Sequence, residues 1–191
     1  MKSNISKIEA ELLIEKHLTS QHLKFHSIET EAVMRGLAKK LGEDEELRGI
    51  TWLLHDLDLD LIGTDLAQHG KKTVELLQSE WYEIPEMFNA ILSHTEGLFP
   101  DNKKRTTKFD YCLAAGENIT GLIYAYVLMR PDKKIEWVET SSIKKRLKEL
   151  RFAANVNRAF IADVEKSWIT VDEFLQIALD GMKSIAEKIG I

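Results

Sequence analysis

Residues 52–58 read Trp52-Leu53-Leu54-His55-Asp56-Leu57-Asp58, an apolar run that delivers an imidazole and a carboxylate side by side. Upstream, Leu47, Ile50, Leu53 and Leu54 recur at helical spacing and Asp44 is placed to cap them, so the doublet stands at the end of an amphipathic helix. Before it, Leu23 to Leu41 carries Ile28, Ala32, Val33, Leu37 and Leu41 on one stripe, and Gly42 ends that helix. Ser6 to Thr19 forms a weaker first helix with Ser6 as its N-cap.

Downstream, Leu57 to Gly70, with Gly63 and several Asp residues, reads as a loop. Lys71 to Tyr82 and Pro85 to His94 read as two short helices, the second with proline in its first turn, where a missing N–H costs little. Glu96 to Thr106 holds Gly97, Pro100 and Asp101-Asn102 and reads as a surface loop. Thr107 to Met129 is the longest apolar helix, closed by Arg130-Pro131. Ile135 to Val138 reads as a short extended connector, and helices are expected over Ser142 to Leu150, Asn155 to Lys166 and Val171 to Ile189. The alternating β-branched runs of a sheet are absent, as are repeats and low-complexity tracts. The pattern predicts an all-α helical bundle over residues 1–191, a single domain with a core at about 20–130 and helices of 140–190 packed on it.

Composition narrows the function classes. The chain has 191 residues, 44% of them hydrophobic, and a formal net charge of −5, enough apolar content for one sizeable core. An acidic balance argues against binding a nucleic-acid duplex, which requires a basic excess. A single cysteine, Cys112, excludes a disulfide framework and a Cys-rich zinc module and fits a cytoplasmic location. Met1 to Leu13 lacks the apolar segment of a signal peptide, and the most apolar window, Ile119 to Met129, is about half of the roughly 20 residues a bilayer requires, so no membrane partner is expected.

All six histidines (His17, His22, His26, His55, His69 and His94) lie in the first half of the chain. A nitrogen donor beside an oxygen donor, with no cysteine near, suits Zn, Mn, Fe or Mg rather than a thiolate site. His26 opens its own amphipathic stretch. Later come His69-Gly70, Ile91-Leu92-Ser93-His94 and Glu117-Asn118-Ile119-Thr120-Gly121-Leu122. His17 and His22 read as solvated, and Lys71-Lys72 and Lys103-Lys104-Arg105 as solvated faces that can also steer an anion toward His69 and His94.

On these residues the chain resembles the HD-domain superfamily of metal-dependent phosphohydrolases, whose signature is an isolated His, a His-Asp doublet and a later carboxylate on separate helices. The resemblance covers most of 20–130. It continues into a small HD/HDIG-type bacterial and archaeal branch through Arg130-Pro131-Asp132-Lys133-Lys134, Ser142-Ile143-Lys144-Lys145-Arg146 and Phe152-Ala153-Ala154. It implies His26, His55 and Asp56 as metal ligands, with Asp56 catalytic. The last ligand in similar proteins is an Asp. Here Asp110 and Glu117 compete on one helix face, and registering Thr120-Gly121-Leu122 against the family pattern selects Glu117.

His69 and His94 match the positions of a second metal site in some relatives, but the second residue of the His-His pair found there is Thr95 here, which leaves that set incomplete; the alternatives are that they bind substrate phosphate or donate a proton. Where some relatives carry a general-acid Glu, this chain has Leu59; Asp58 and Asp60 are the candidates to substitute, both off register, and the acid role is open. The resemblance thus implies one or two divalent ions (Mn, Fe, Zn, Mg, Co or Ni), a small anionic phosphorylated substrate and hydrolysis by a cation-bound water; the nearness of Lys72 to His69 in sequence makes it the substrate-binding candidate. A nucleotide substrate follows by resemblance alone, and an oligomer is open. The alternatives are a non-catalytic interaction or sensor module and a di-iron HD-type oxygenase.

Overall fold

A computed structural model describes all 191 residues. Eleven α-helices and two 3-10 turns make up the fold: α1 (Lys7–His17), α2 (Gln21–Leu41), α3 (Glu45–Leu54), α4 (Leu59–Ile62), α5 (Lys71–Ser79), α6 (Pro85–His94), α7 (Lys108–Met129), α8 (Thr140–Lys148), α9 (Arg158–Ala162), α10 (Val171–Ser184) and α11 (Ala186–Ile189), with the turns at Leu66–Gln68 and Asp163–Ser167. No β-sheet forms; the extended contacts are isolated bridges, Lys2 with Tyr82 and Glu96 with Phe99. The architecture is the all-α bundle expected from the sequence.

The long helices begin where their side chains satisfy the first backbone N–H groups. Ser6 and Glu9 form a reciprocal capping box on α1, and Thr107 and Asp110 form one on α7. Asp44 accepts from Glu46 and Leu47 at the start of α3, and Gly42 closes α2 in the left-handed conformation at φ 69°.

Helices α2 and α7 are the spine. One buried cluster joins Val33, Met34 and Leu37 of α2 and Trp52 of α3 to Leu113, Ile119 and Ile123 of α7, and runs on to Phe174 and Leu179 of α10. A second cluster joins Leu13 and Ile14 of α1 with Leu53, Leu54 and Leu57, and with Leu77, Met87 and Ile91 of α5 and α6. The end of α3 lies where the two clusters meet. Over its full 22 residues α7 is long and apolar enough to cross a membrane, but 56% of its most apolar 18-residue stretch is buried inside the bundle.

Four expectations need correction. Leu57 to Gly70 is not all loop: Leu61 and Ile62 both donate to the Asp58 carbonyl at 2.9 Å, closing the one-turn α4, and a 3-10 turn follows. Ile135 to Val138 is a turn rather than an extended connector, closed by Val138 N–H to Ile135 C=O at 2.9 Å with both end side chains buried. The helix expected from Asn155 starts at Arg158, because Asn157 caps it by accepting from Ala159 and Phe160, and it tightens to 3-10 at Asp163. The last helix breaks at Ile185, which leaves α11 as a separate turn.

Candidate metal centre

The polar cluster is assembled from five places in the chain. His26 is on α2, His55 and Asp56 lie in the turn that ends α3, His69 just precedes α5, His94 is the last residue of α6, and Glu117 lies midway along α7. Trp52 makes this convergence possible. A Cβ at Gly116 would overlap the Trp52 ring, so the bare glycine lets the indole lie flush on α7 and brings the end of α3 beside Glu117.

Asp56 is the hub. Its Oδ1 lies 3.3 Å from His55 Nε2, 3.4 Å from His69 Nε2 and 3.5 Å from His94 Nε2, and its Oδ2 lies 3.6 Å from His26 Nε2. Three overlapping groups have donor atoms within 4.8 Å of one another: His26, His55 and Asp56; His55, His94 and Glu117; and Asp56, His69 and His94.

The opposite ring nitrogens fix the tautomers. His55 Nδ1 faces the Trp52 carbonyl at 2.7 Å, His94 Nδ1 faces the Ile91 carbonyl, and His69 Nδ1 faces Asp58 Oδ1 at 2.9 Å. Each of these oxygens can only accept, so each Nδ1 carries the hydrogen and each Nε2 lone pair is left pointing into the cluster. His55 Nε2 and Asp56 Oδ1 are buried with no hydrogen-bond partner. The Nε2 atoms of His69 and His94 stand 3.0 Å apart, a separation that two lone pairs tolerate only with a proton or a cation between them. Burial pushes the His55 ring down to about 3 and lowers His26 as well, so both rings are neutral at pH 7. Burial alone would raise the Asp56 carboxyl, but His55 and the other imidazoles hold it well below the usual range. Burial, then the charge of Asp56, push Glu117 up to about 8. Neutral imidazoles around an ionised carboxylate are the protonation states that a divalent cation requires, and the orphaned donors fit one.

Supporting residues complete the site. Asp58 is fully buried; besides holding His69, its Oδ2 accepts from Gly70 N at 2.7 Å and Thr73 N at 3.2 Å, which caps α5. Gly70, at φ 75°, turns the chain where a Cβ would lie 2.9 Å from the Ile91 carbonyl. Asp60 is exposed and binds the backbone of Thr19 and Ser20 at the head of α2. Neither carboxyl faces the cluster as a free acid. Asp110 accepts from Thr106 and Thr107 at 2.9 Å each and belongs to the cap of α7, whereas Glu117, two turns along, joins His55 and His94. Thr95 accepts from Asn102 at 2.7 Å outside the donor groups.

Lys72 lies at the surface of α5, paired with Glu75 at 2.7 Å. Lys103 and Lys104 are exposed as expected, but Arg105 is not a solvated residue. It is buried, stacked on Phe160 at 3.8 Å and paired with Glu96 at 3.1 Å; its Nη1 has no hydrogen-bond partner, and its charge acts on Glu117. Sequence reading placed Arg105 in a solvated, anion-steering run and Asp58 as an off-register acid, and so missed the buried positions the structure gives them. A lone arginine beside two lysines carries one local signal, its forked donors, and its aromatic platform lies far along the chain.

Comparison with protein families matches the HD domain over residues 25–120. No curated protein and no solved structure matches the chain.

Proposed function

The chain belongs to the HD-domain family, and from that premise we propose that it is a phosphohydrolase acting on a phosphomonoester or phosphodiester, nucleotides among them. Family membership and the clustered His and Asp donors support metal-dependent hydrolysis in general. The single observation that carries the reading is the convergence of Nε2 lone pairs on Asp56, with His55 Nε2 and Asp56 Oδ1 buried and unpartnered.

In this reading His26, His55, Asp56 and Glu117 would hold a divalent cation, and an imidazole-rich set favours Mn, Fe, Co, Ni or Zn over Mg. When bound, the ion supplies an acidified water and draws charge from the phosphoryl group. Arg105 offers its unpaired Nη1 to a phosphoryl oxygen, stabilising charge where it builds up. Lys72 acts from the rim by long-range attraction on the anionic substrate. Asp58 keeps the Nδ1 hydrogen on His69 and so keeps its Nε2 turned toward Asp56. With two ions per chain, His69 and His94 would join Asp56 as the second donor group.

Metal analysis of the purified protein, followed by phosphate release from nucleotides and simple phosphoesters, tests the proposal. Asp56→Ala and His55→Ala are expected to lower metal-dependent turnover by roughly 100-fold or more, beyond the loss from removing a supporting residue, with the helical circular dichroism retained. Turnover that persists in metal-stripped Asp56→Ala protein refutes it.

A further inference from the structure

A cleft of about 620 Å³ opens beside the donor cluster, and His26 belongs to both. Its size falls within the roughly 300–1,000 Å³ of small-molecule sites. The lining comes from His22 and Glu29 of α2, Gly121 and Tyr124 of α7, and Ala153 and Asn155 of the turn before α9. Gly121 follows Glu117 by one helical turn, so the cleft continues along the face of α7 that enters the metal centre.

Glu29 is the anomaly in this cleft. It is 3% exposed, and burial alone pushes its carboxyl up to about 8. No side chain or backbone group pairs with it. Its oxygens are not among the sealed atoms left without a partner, so they reach the surface of the cleft that Glu29 lines and are free to meet what enters it. A neutral carboxyl presents one O–H donor beside one C=O acceptor.

The facing wall is rigid. Ala153 sits at φ 44°, a left-handed conformation that costs a non-glycine residue about 1–3 kcal/mol. Arg158 holds it there by donating to the carbonyls of Ala153 at 2.6 Å, Val156 at 2.7 Å, Glu149 at 3.3 Å and Phe152. Asn157 N donates to Asn118 Oδ1 at 2.7 Å and fastens the same turn to α7. The Phe152-Ala153-Ala154 motif is thus part of a pre-shaped wall.

We propose that this cleft holds the non-phosphoryl end of the substrate and that Glu29 selects a flat group whose edge carries a donor next to an acceptor, as an amide or amino-heterocycle does. The inference rests on the phosphohydrolase reading, and its test measures binding rather than turnover. Metal-loaded protein is titrated calorimetrically with non-cleavable phosphonate analogues of adenosine, cytidine, guanosine and uridine 5′-monophosphates, and with the phosphonate analogue of ribose 5-phosphate. At least one edge-bearing probe is expected to bind about 10-fold or more tightly than the ribose probe, the equivalent of one well-made hydrogen-bonded pair. Glu29→Leu, which fits an apolar burial, removes that gain; Glu29→Gln, which keeps a donor and an acceptor, retains it within about 3-fold.

Equal binding of all probes, a gain that survives Glu29→Leu, or a loss in Glu29→Gln as large as in the Leu variant overturns the selecting role. Phosphate release from ribose 5-phosphate without any binding preference removes the role of Glu29 and leaves the phosphohydrolase reading standing; absence of all turnover removes that reading and leaves the binding result to be judged by itself.

Discussion

Glu29 and Glu117 are both carboxyls raised to about 8, by different means: burial alone for Glu29, burial and then the Asp56 charge for Glu117. For Glu29 the folded chain binds its proton more tightly than the unfolded chain, whose carboxyl titrates near 4.5. Stability therefore falls as pH rises from about 4.5 through about 8, because ionisation favours the unfolded state. Glu29→Gln removes this slope while leaving Glu117 in place. Urea unfolding between pH 5 and 9 is expected to show the wild type losing about 4 kcal/mol relative to the Gln variant; parallel curves would contradict the burial argument.

At the same scale, the sequence singled out His26, His55, Asp56, His69, His94 and Glu117, and the structure places them in overlapping donor groups. Ligating side chains are few, so their types are visible without a fold. Arg105 and Asp58 were visible as a basic-run member and an off-register acid, but their buried roles were not, for the opposite reason. Their surroundings, Phe160 and Glu96 for one and Gly70 and Thr73 for the other, are set by tertiary contacts.

Among elements, the α3–α7 contact sets the site. Gly116→Ala places a methyl group into the Trp52 ring, and overpacking of this kind costs about 1–3 kcal/mol. The expected result is that loss of stability in urea together with weaker metal uptake, since His55 and Asp56 follow Trp52 directly. Unchanged metal affinity in a destabilised Gly116→Ala protein would separate packing from site geometry. Long helices with caps and apolar stripes, α2 and α7 above all, were legible because a 3.6-residue period needs several turns to show itself. The one-turn α4, the 3-10 turns and the break at Ile185 have too few residues to carry a period, and they follow from local backbone bonding instead.

For the whole molecule, the proposed cation, held by a cluster of buried lone pairs, would tie the folded state to its binding. A ligand at 100 times its dissociation constant adds about 2.7 kcal/mol, which for a chain of this length corresponds to a melting shift of about 5–10 °C. Scanning calorimetry with and without a chelator is expected to show that shift in the wild type and none in Asp56→Ala. A chelator-insensitive wild type would remove the cation from the folding balance.

The Arg158-pinned turn has a separate consequence. The donors His26 to Glu117 all fall within 25–120, whereas Gly121, Tyr124 and the stretch from Ala153 to Val156 that enclose the cleft lie beyond it. One wall of the cleft is thus written in a stretch separate from the donors, while Glu29 and His26 of the other wall share the donor-bearing stretch. Under the proposed reading, exchanging Ala153 or Asn155 reshapes the first wall without replacing a donor, so preference can drift there while the donor set stays as it is.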